Sequence, residues 1–158
     1  MKTYAQEPPL TIDAAKQYTA TVKTVRGDFT IKLRPDIALH HVNSFVFLAR
    51  DHFFDGLKFH RVVPGFVIQG GDPAGNGTGG PGYKLKLEPG SVAFDRAVVG
   101  AARSQDPDSA GSQWFVTLGA APNLNGQYTV FGQVTAGMDV VDCVAVGDQI
   151  VSVDIAEQ

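Results

Sequence analysis

From Tyr18 onward apolar residues recur at every second position. Tyr18, Ala20 and Val22 fall on one face, and after Arg26-Gly27-Asp28 the pattern resumes with Phe29, Ile31 and Leu33 alternating with Thr30, Lys32 and Arg34. A period of two places successive side chains on opposite faces of an extended chain, so these segments read as two strands of a hairpin with one face turned inward. Further strand patterns occupy about 57–63, 66–70, 98–103, 112–118, 128–134 and 149–155. Between Asp36 and Phe54 the period changes, with Leu39, Val42, Phe45 or Val46, and Ala49 on one stripe. That spacing predicts an amphipathic helix stopped near Gly56, and a second helix is expected near 137–145. Eight mostly antiparallel strands can close on themselves and remove their exposed edges, with a helix over each open end. The expected fold is therefore mainly β, a closed eight-stranded antiparallel barrel capped by two helices, over residues 18–158. Residues 1–17, with Pro8-Pro9, read as a short extended arm.

The bulk properties fit such a domain. A chain of 158 residues buries about 70% of the surface its unfolded form exposes. A net charge of −3 gives no basic footprint for nucleic acid, and no segment is apolar over the length a bilayer requires. The arm has Lys2 but no apolar run of the kind a secretion signal needs, so a cytoplasmic location and a monomer are the default expectations. The single cysteine, Cys143, leaves no internal disulfide, and its neighbours Val140, Val141 and Val144 suggest a buried small hydrophobe.

One segment stands apart chemically: FHRVVPGFVIQGGD, Phe59 to Asp72. Arg61 and Gln69 bracket a turn at Pro64-Gly65, with Phe66 and Val67 between them, and none of these is a good nucleophile or metal ligand. The implied chemistry is non-covalent. Strand parity puts Gln69 with Val67, and Gln113 with Phe115 and Thr117, while Trp114, Val116 and Leu118 take the core face. Two amides and an aromatic ring thus share one side, and Phe115 would be an odd surface residue unless it lined a pocket. His60 neighbours Arg61, but alternation sends it to the opposite face, where a structural, hydrogen-bonded histidine is expected. A hydrolase pairing His60 with Ser104 or Ser112 lacks a G-x-S-x-G elbow. His40, His41 and His52 show no metal-ligand spacing. The run GNGTGGPG contains a formal G-x-G-x-x-G at Gly75, Gly77 and Gly80, yet Pro81-Gly82 follows where a dinucleotide site needs a helix, so a tight surface loop is expected. It sits in a long glycine- and proline-rich loop from Asp72 to Ala97.

In wording and spacing, FHRVVPGFVIQGGD together with SAGSQWFV (Ser109 to Val116) and LNGQYTVFG (Leu124 to Gly132) resembles the signatures of cyclophilin-type peptidyl-prolyl cis-trans isomerases. The resemblance spans about Thr19 to Ile155 and implies the same barrel, with the Gly75–Gly82 loop along one wall of a substrate groove. It implies Arg61, Gln69, Phe66 and Phe115 as catalytic residues. Val67, Leu124 and Tyr128 would complete a pocket for the proline ring, Gln113 and Asn123 would border it, and the backbone around Arg103, Ser104 and Gln105 would bind the peptide as an added strand. No cofactor or metal is implied. The expected partners are proline-containing peptides and unfolded or folding proteins, and the expected activity is rotation about Xaa-Pro bonds; a proline-peptide binding module or scaffold using the same groove is the alternative. The sequence departs from better-known members, which carry methionine where Val67 stands, tryptophan where Asn123 stands and histidine where Tyr128 stands. SQDPDSAGS, from Ser104 to Ser112, also differs from the family's common asparagine-rich version. Asn123 offers less apolar area than an indole, so cyclosporin is expected to bind weakly.

Overall fold

The computed structural model describes residues 2–158. Its first two strands, β1 (Tyr18–Thr24) and β2 (Gly27–Leu33), pair in the hairpin register with Thr24 opposite Gly27. Thr24 ties the turn by donating its hydroxyl to the Gly27 carbonyl (2.7 Å) and accepting from the Arg26 N–H (3.1 Å). Gly27 has a φ of 135°, which side chains rarely tolerate. Helix α1 (Leu39–Arg50) follows. No residue beside its start caps it. Instead Glu88, from the long loop, accepts the N–H groups of His40 (3.1 Å) and His41 (2.8 Å) and the His41 Nδ1 (2.5 Å). A carboxylate at that end also suits the helix dipole.

The remaining elements are β3 (Arg61–Val63), β4 (Val67–Gly70), β5 (Val98–Ala101), β6 (Trp114–Thr117), β7 (Val130–Ala136), α2 (Met138–Cys143) and β8 (Ile150–Glu157). One sheet holds all eight strands in the order β3-β4-β6-β5-β7-β2-β1-β8, antiparallel throughout. The expected closure is overstated. The two ends of this order share no ladder; they meet through a single bridge, Lys58 to Gln149, and hydrogen bonds such as Phe59 N–H to the Asp148 carbonyl (2.9 Å) and Ile150 N–H to the Leu57 carbonyl (2.7 Å). The reason is that β3 is only three residues long, so the sheet curls round into a half-barrel with a seam.

Apolar packing occupies both faces of the sheet. Inside, Trp114 stands at the centre of an aromatic cluster, edge-on to Phe45 and Phe59 at 5.8 Å. Each such buried side chain contributes about 1.5–3 kcal/mol relative to an exposed one. On the other face Val67, Phe94, Val98, Phe115, Leu124 and Val130 form a separate cluster. Strand β6 alternates between the two as expected, with Trp114 and Val116 in the first and Phe115 in the second. Cys143 contradicts its expectation: it is exposed. Val141 and Val144 are the residues of that segment that turn inward, and the intervening position of so short a helix is left facing out.

The arm lies along α1. Asn43 accepts the Thr11 N–H (3.0 Å) and donates to the Pro9 carbonyl (3.1 Å), and the Tyr4 ring meets Phe47 edge-on at 5.1 Å.

Candidate active site

The sheet register sets the site. Arg61 on β3 lies opposite Gln69 on β4, Gln69 opposite Phe115 on β6, and Phe115 opposite Gly100 on β5. Four residues from four strands therefore form one cross-strand row, about 14 Å long at the usual strand spacing. Above it is a cavity of about 440 Å³ whose floor and sides include Phe66, Val67, Phe115, Leu124 and Tyr128. Phe115 is held from below by Phe94, stacked at 5.5 Å, and from the side by Tyr128, edge-on at 5.9 Å. Gly100 makes this possible, because a Cβ there would come within 2.6 Å of Phe115 and 2.7 Å of Phe94.

Arg61 stands at the polar rim of that apolar floor. Its Nη1 donates to Gln69 Oε1 (3.3 Å), Gln69 Nε2 donates to Gln113 Oε1 (3.0 Å), and Gln113 Nε2 donates to the carbonyls of Gly77 (3.0 Å) and Gly79 (2.9 Å). The direction of this relay is forced from both ends, since a guanidinium only donates and a carbonyl only accepts. Each amide therefore has one orientation, and Gln69 keeps its second N–H for another acceptor. Arg61 is exposed and has no carboxylate partner among the described residues.

Arg103 connects the cavity to the neighbouring loops. It donates to the Gln127 carbonyl through Nε (3.0 Å) and Nη2 (2.9 Å) and to the Ser104 carbonyl (2.8 Å), and its guanidinium carbon lies 4.4 Å above the Tyr128 ring. The Ser104 N–H donates to Ser109 Oγ (2.9 Å), so both backbone groups of Ser104 are used internally. Gln105 is exposed and lines neither this cavity nor the hollow beside it, whereas Asn123 borders the cavity and Gln113 belongs to that neighbouring hollow.

His60 departs from expectation twice. It lines the same cavity as Arg61, because the strand begins only at Arg61 and alternation does not reach back to it. Its Nδ1 is buried without a hydrogen-bond partner among the described residues. Burial lowers its pKa from the ordinary histidine value, against the pull of Asp72, which favours the neutral ring. The serines do not approach it: Ser112 donates to the Gly71 carbonyl (2.7 Å) and Ser104 shares a hydrogen bond with Ser109 (2.7 Å). No helix follows Gly75–Gly82. Asp72, buried beneath that loop, accepts the N–H groups of Ala74, Asn76 and Gly77, and among the described residues no three His, Cys, Asp or Glu side chains group together.

Several contributors escaped sequence reasoning. Phe94 comes from the long loop with no periodic signal, Ala102 follows the strand without any sign that it borders the cavity, and Gly100 shows its purpose only once its neighbours are placed, whereas Asn76 and Gly77 lie in the loop expected along the groove wall. A glycine within a strand pattern was the one available hint of close approach.

The family model described as "Cyclophilin type peptidyl-prolyl cis-trans isomerase/CLD" matches residues 19–156. Peptidyl-prolyl cis-trans isomerase B of Streptomyces anulatus is 43% identical over 150 residues, covering 83% of this chain and 85% of that protein. The peptidyl-prolyl cis-trans isomerase of Helicobacter pylori is 42% identical over 148 residues, covering 89% and 88%. A cyclophilin-type isomerase of Cryptosporidium parvum superposes with a TM-score of 0.83 at 25% identity, covering 90% of this chain and 99% of that one; another structure of it, in the presence of the dipeptide Ala-Pro, gives 0.82 at 27%, covering 89% and 99%. Sequence and fold thus trace to one lineage, and the chain belongs to the family of cyclophilin-type peptidyl-prolyl cis-trans isomerases.

Proposed function

We propose that this chain catalyses cis-trans rotation about Xaa-Pro bonds in peptides and folding proteins, with Arg61 as the group that favours the transition state. The carrying observation is a donor-only side chain, unpaired with any carboxylate among the described residues, held by an amide relay at the rim of an apolar cavity of about 440 Å³. Rotation faces a barrier of about 18–20 kcal/mol because the amide nitrogen shares its lone pair with the carbonyl. The reaction needs no nucleophile. It needs one end of the bond held, the other free to turn, and the twisted state favoured.

The proline ring, set on Phe115 among Phe66, Val67, Leu124 and Tyr128, is the held end, and burying it supplies about 1.5–3 kcal/mol. As the bond twists, the nitrogen pyramidalises and becomes a hydrogen-bond acceptor, which the Arg61 guanidinium can reach. That bond exists only in the twisted state, so it raises turnover and not merely binding. The free N–H of Gln69 holds the carbonyl oxygen of the residue before proline. The Arg103 side chain, which borders the cavity, guides the upstream peptide; the N–H groups of Ala102 and Ser104 are already paired within the fold.

The test is NMR exchange on a short Ala-Pro peptide with the native chain and Arg61→Ala. Loss of one transition-state donor is expected to lower kcat/KM by about 10² to 10³ while the fold persists. Peptide binding by the native chain without accelerated exchange would make it a proline-binding module, and unchanged turnover in folded Arg61→Ala would place the chemistry elsewhere.

A further inference from the structure

Beside the proline cavity lies a second hollow of about 580 Å³. Loop 77–84 forms one wall, and residues 102–104, Ser109 and 111–113 form the other. The arm closes an end: Thr3 lines the hollow, and the Tyr4 N–H donates to the Pro81 carbonyl (2.8 Å). Gly82 permits that approach, since a Cβ there would lie 2.5 Å from the Tyr4 carbonyl oxygen. Gln69, Gly77, Ala102 and Arg103 border both hollows, so one peptide can occupy the two at once. An extended chain advances about 3.3 Å per residue. A side chain two or three residues before the proline therefore projects from a point roughly 7–10 Å along the groove.

The charges of this groove run against those of the whole molecule. The chain has 16 acidic and 13 basic residues, yet among the described residues no Asp or Glu lines either hollow, while Arg61, Lys84 and Arg103 do. Among the described residues none of these three cations is paired with a carboxylate, although ion pairs occur elsewhere on the surface. The nearby acids keep their charge but direct their carboxylates at other groups and line neither hollow. Asp72 holds three backbone N–H groups, Asp108 accepts the Leu87 N–H, Asp106 accepts the Asp108 N–H, and Glu88 is bonded to His41. Arg103 is fixed by neutral carbonyls and an aromatic face, which position its charge without cancelling it. Lys84 is exposed on the facing wall.

We propose that the second hollow selects an acidic side chain, Asp or Glu, two or three residues before the proline. This rests on the function proposed above and names the substrates that function favours. Lys84 and Arg103 are the selecting cations, and the arm, through Thr3, bounds the space the side chain enters.

The test uses the full chain and short Xaa-Pro peptides carrying Glu, Gln or Lys at each of the two upstream positions, with kcat/KM read by NMR exchange. At low salt, Glu is expected to exceed Lys by roughly tenfold at one of the positions, with Gln between, as two partly solvated cations would give. The preference should shrink toward unity near 1 M salt, where the screening length is about 3 Å. Lys84→Glu, on the exposed wall, should narrow or reverse the order. Equal kcat/KM for Glu, Gln and Lys peptides at both positions, with the Gln peptides turned over normally, would overturn this selectivity and leave the isomerase reading intact. Failure to turn over even the Gln peptides would remove the reading on which it rests.

Discussion

Gly100→Ala separates the pocket floor from the rest of the fold. A Cβ at this position would lie 2.6 Å from Phe115 Cζ and 2.7 Å from Phe94 Cε1, against ordinary carbon contacts of about 3.5–4.0 Å. Both rings must yield by about 1 Å. They are 4% and 1% exposed and stacked on each other, so neither can move without pushing the floor into the proline cavity. Overpacking of this kind costs about 1–3 kcal/mol, which for a domain of this size lowers Tm by roughly 2–12 °C. A misplacement of about 1 Å at a reacting centre is enough to cost on the order of 10² in rate. Gly132→Ala is the control. Its Cβ would meet Ile31 at 2.7 Å, a comparable clash in the inner core, but Gly132 lines neither hollow. Calorimetry and NMR exchange on both variants are expected to show two destabilised proteins of which only Gly100→Ala loses kcat/KM. Native kcat/KM in Gly100→Ala, or an equal loss in Gly132→Ala, would refute the assignment of Phe115 as the floor.

Other expectations follow from single residues. Burial raises the Asp72 pKa, but three backbone N–H bonds outweigh it and hold the group below 3.8; a depressed folded pKa stabilises above the unfolded value and is lost as pH falls through the folded one. Asp72→Asn should therefore cost about 1–3 kcal/mol at neutral pH, and denaturant titrations should show the gap to the native chain closing below about pH 4; a gap independent of pH would mean the carboxylate charge does not matter. Asn123 is exposed at the rim of the proline cavity, so Asn123→Trp should tighten cyclosporin by roughly ten- to a hundredfold in isothermal titration, and equal affinities would show that this position does not touch the inhibitor. Arg61→Lys should recover little of the activity lost in Arg61→Ala, since a point charge on a flexible stem replaces a planar fork; near-native exchange rates would show that charge alone suffices.

Much of this arrangement is legible in the sequence, and the limits have physical causes. The alternation of Trp114 and Phe115 assigns each to its face because strand geometry admits only two choices. The same rule misplaces His60, since it holds only inside a ladder and the ladder starts one residue later. The Cys143 expectation failed because apolar neighbours do not settle which side of a six-residue helix turns inward. The cap of α1 by Glu88 could not be read, because its partners are 47 and 48 residues away and nothing local signals them. Phe94 has no such signal either: loop residues have no period, and its position is set by the Phe115 ring it meets.

The site row owes its precision to its neighbours. On one side of Arg61-Gln69-Phe115-Gly100 runs the row Val62-Ile68-Val116-Val99, and on the other Gly70 pairs with Trp114 and Trp114 with Ala101. Ile68, Val116, Val99, Trp114 and Ala101 all belong to the inner core. A slip of one residue between strands would turn these side chains outward and send Gln69 and Phe115 into the core, so hydrophobic burial fixes the register. Strand β3 alone could not do this, with three pairs to β4 and no ladder on its outer side. The side-chain relay supplies what the backbone lacks. It ties Arg61 across β4 to Gln113 beside β6 and on to the 77–79 loop, which Asp72 anchors from beneath. The guanidinium is thus held by groups whose own places are set by the core, which gives a donor on a short edge strand the fixed position that the proposed mechanism requires.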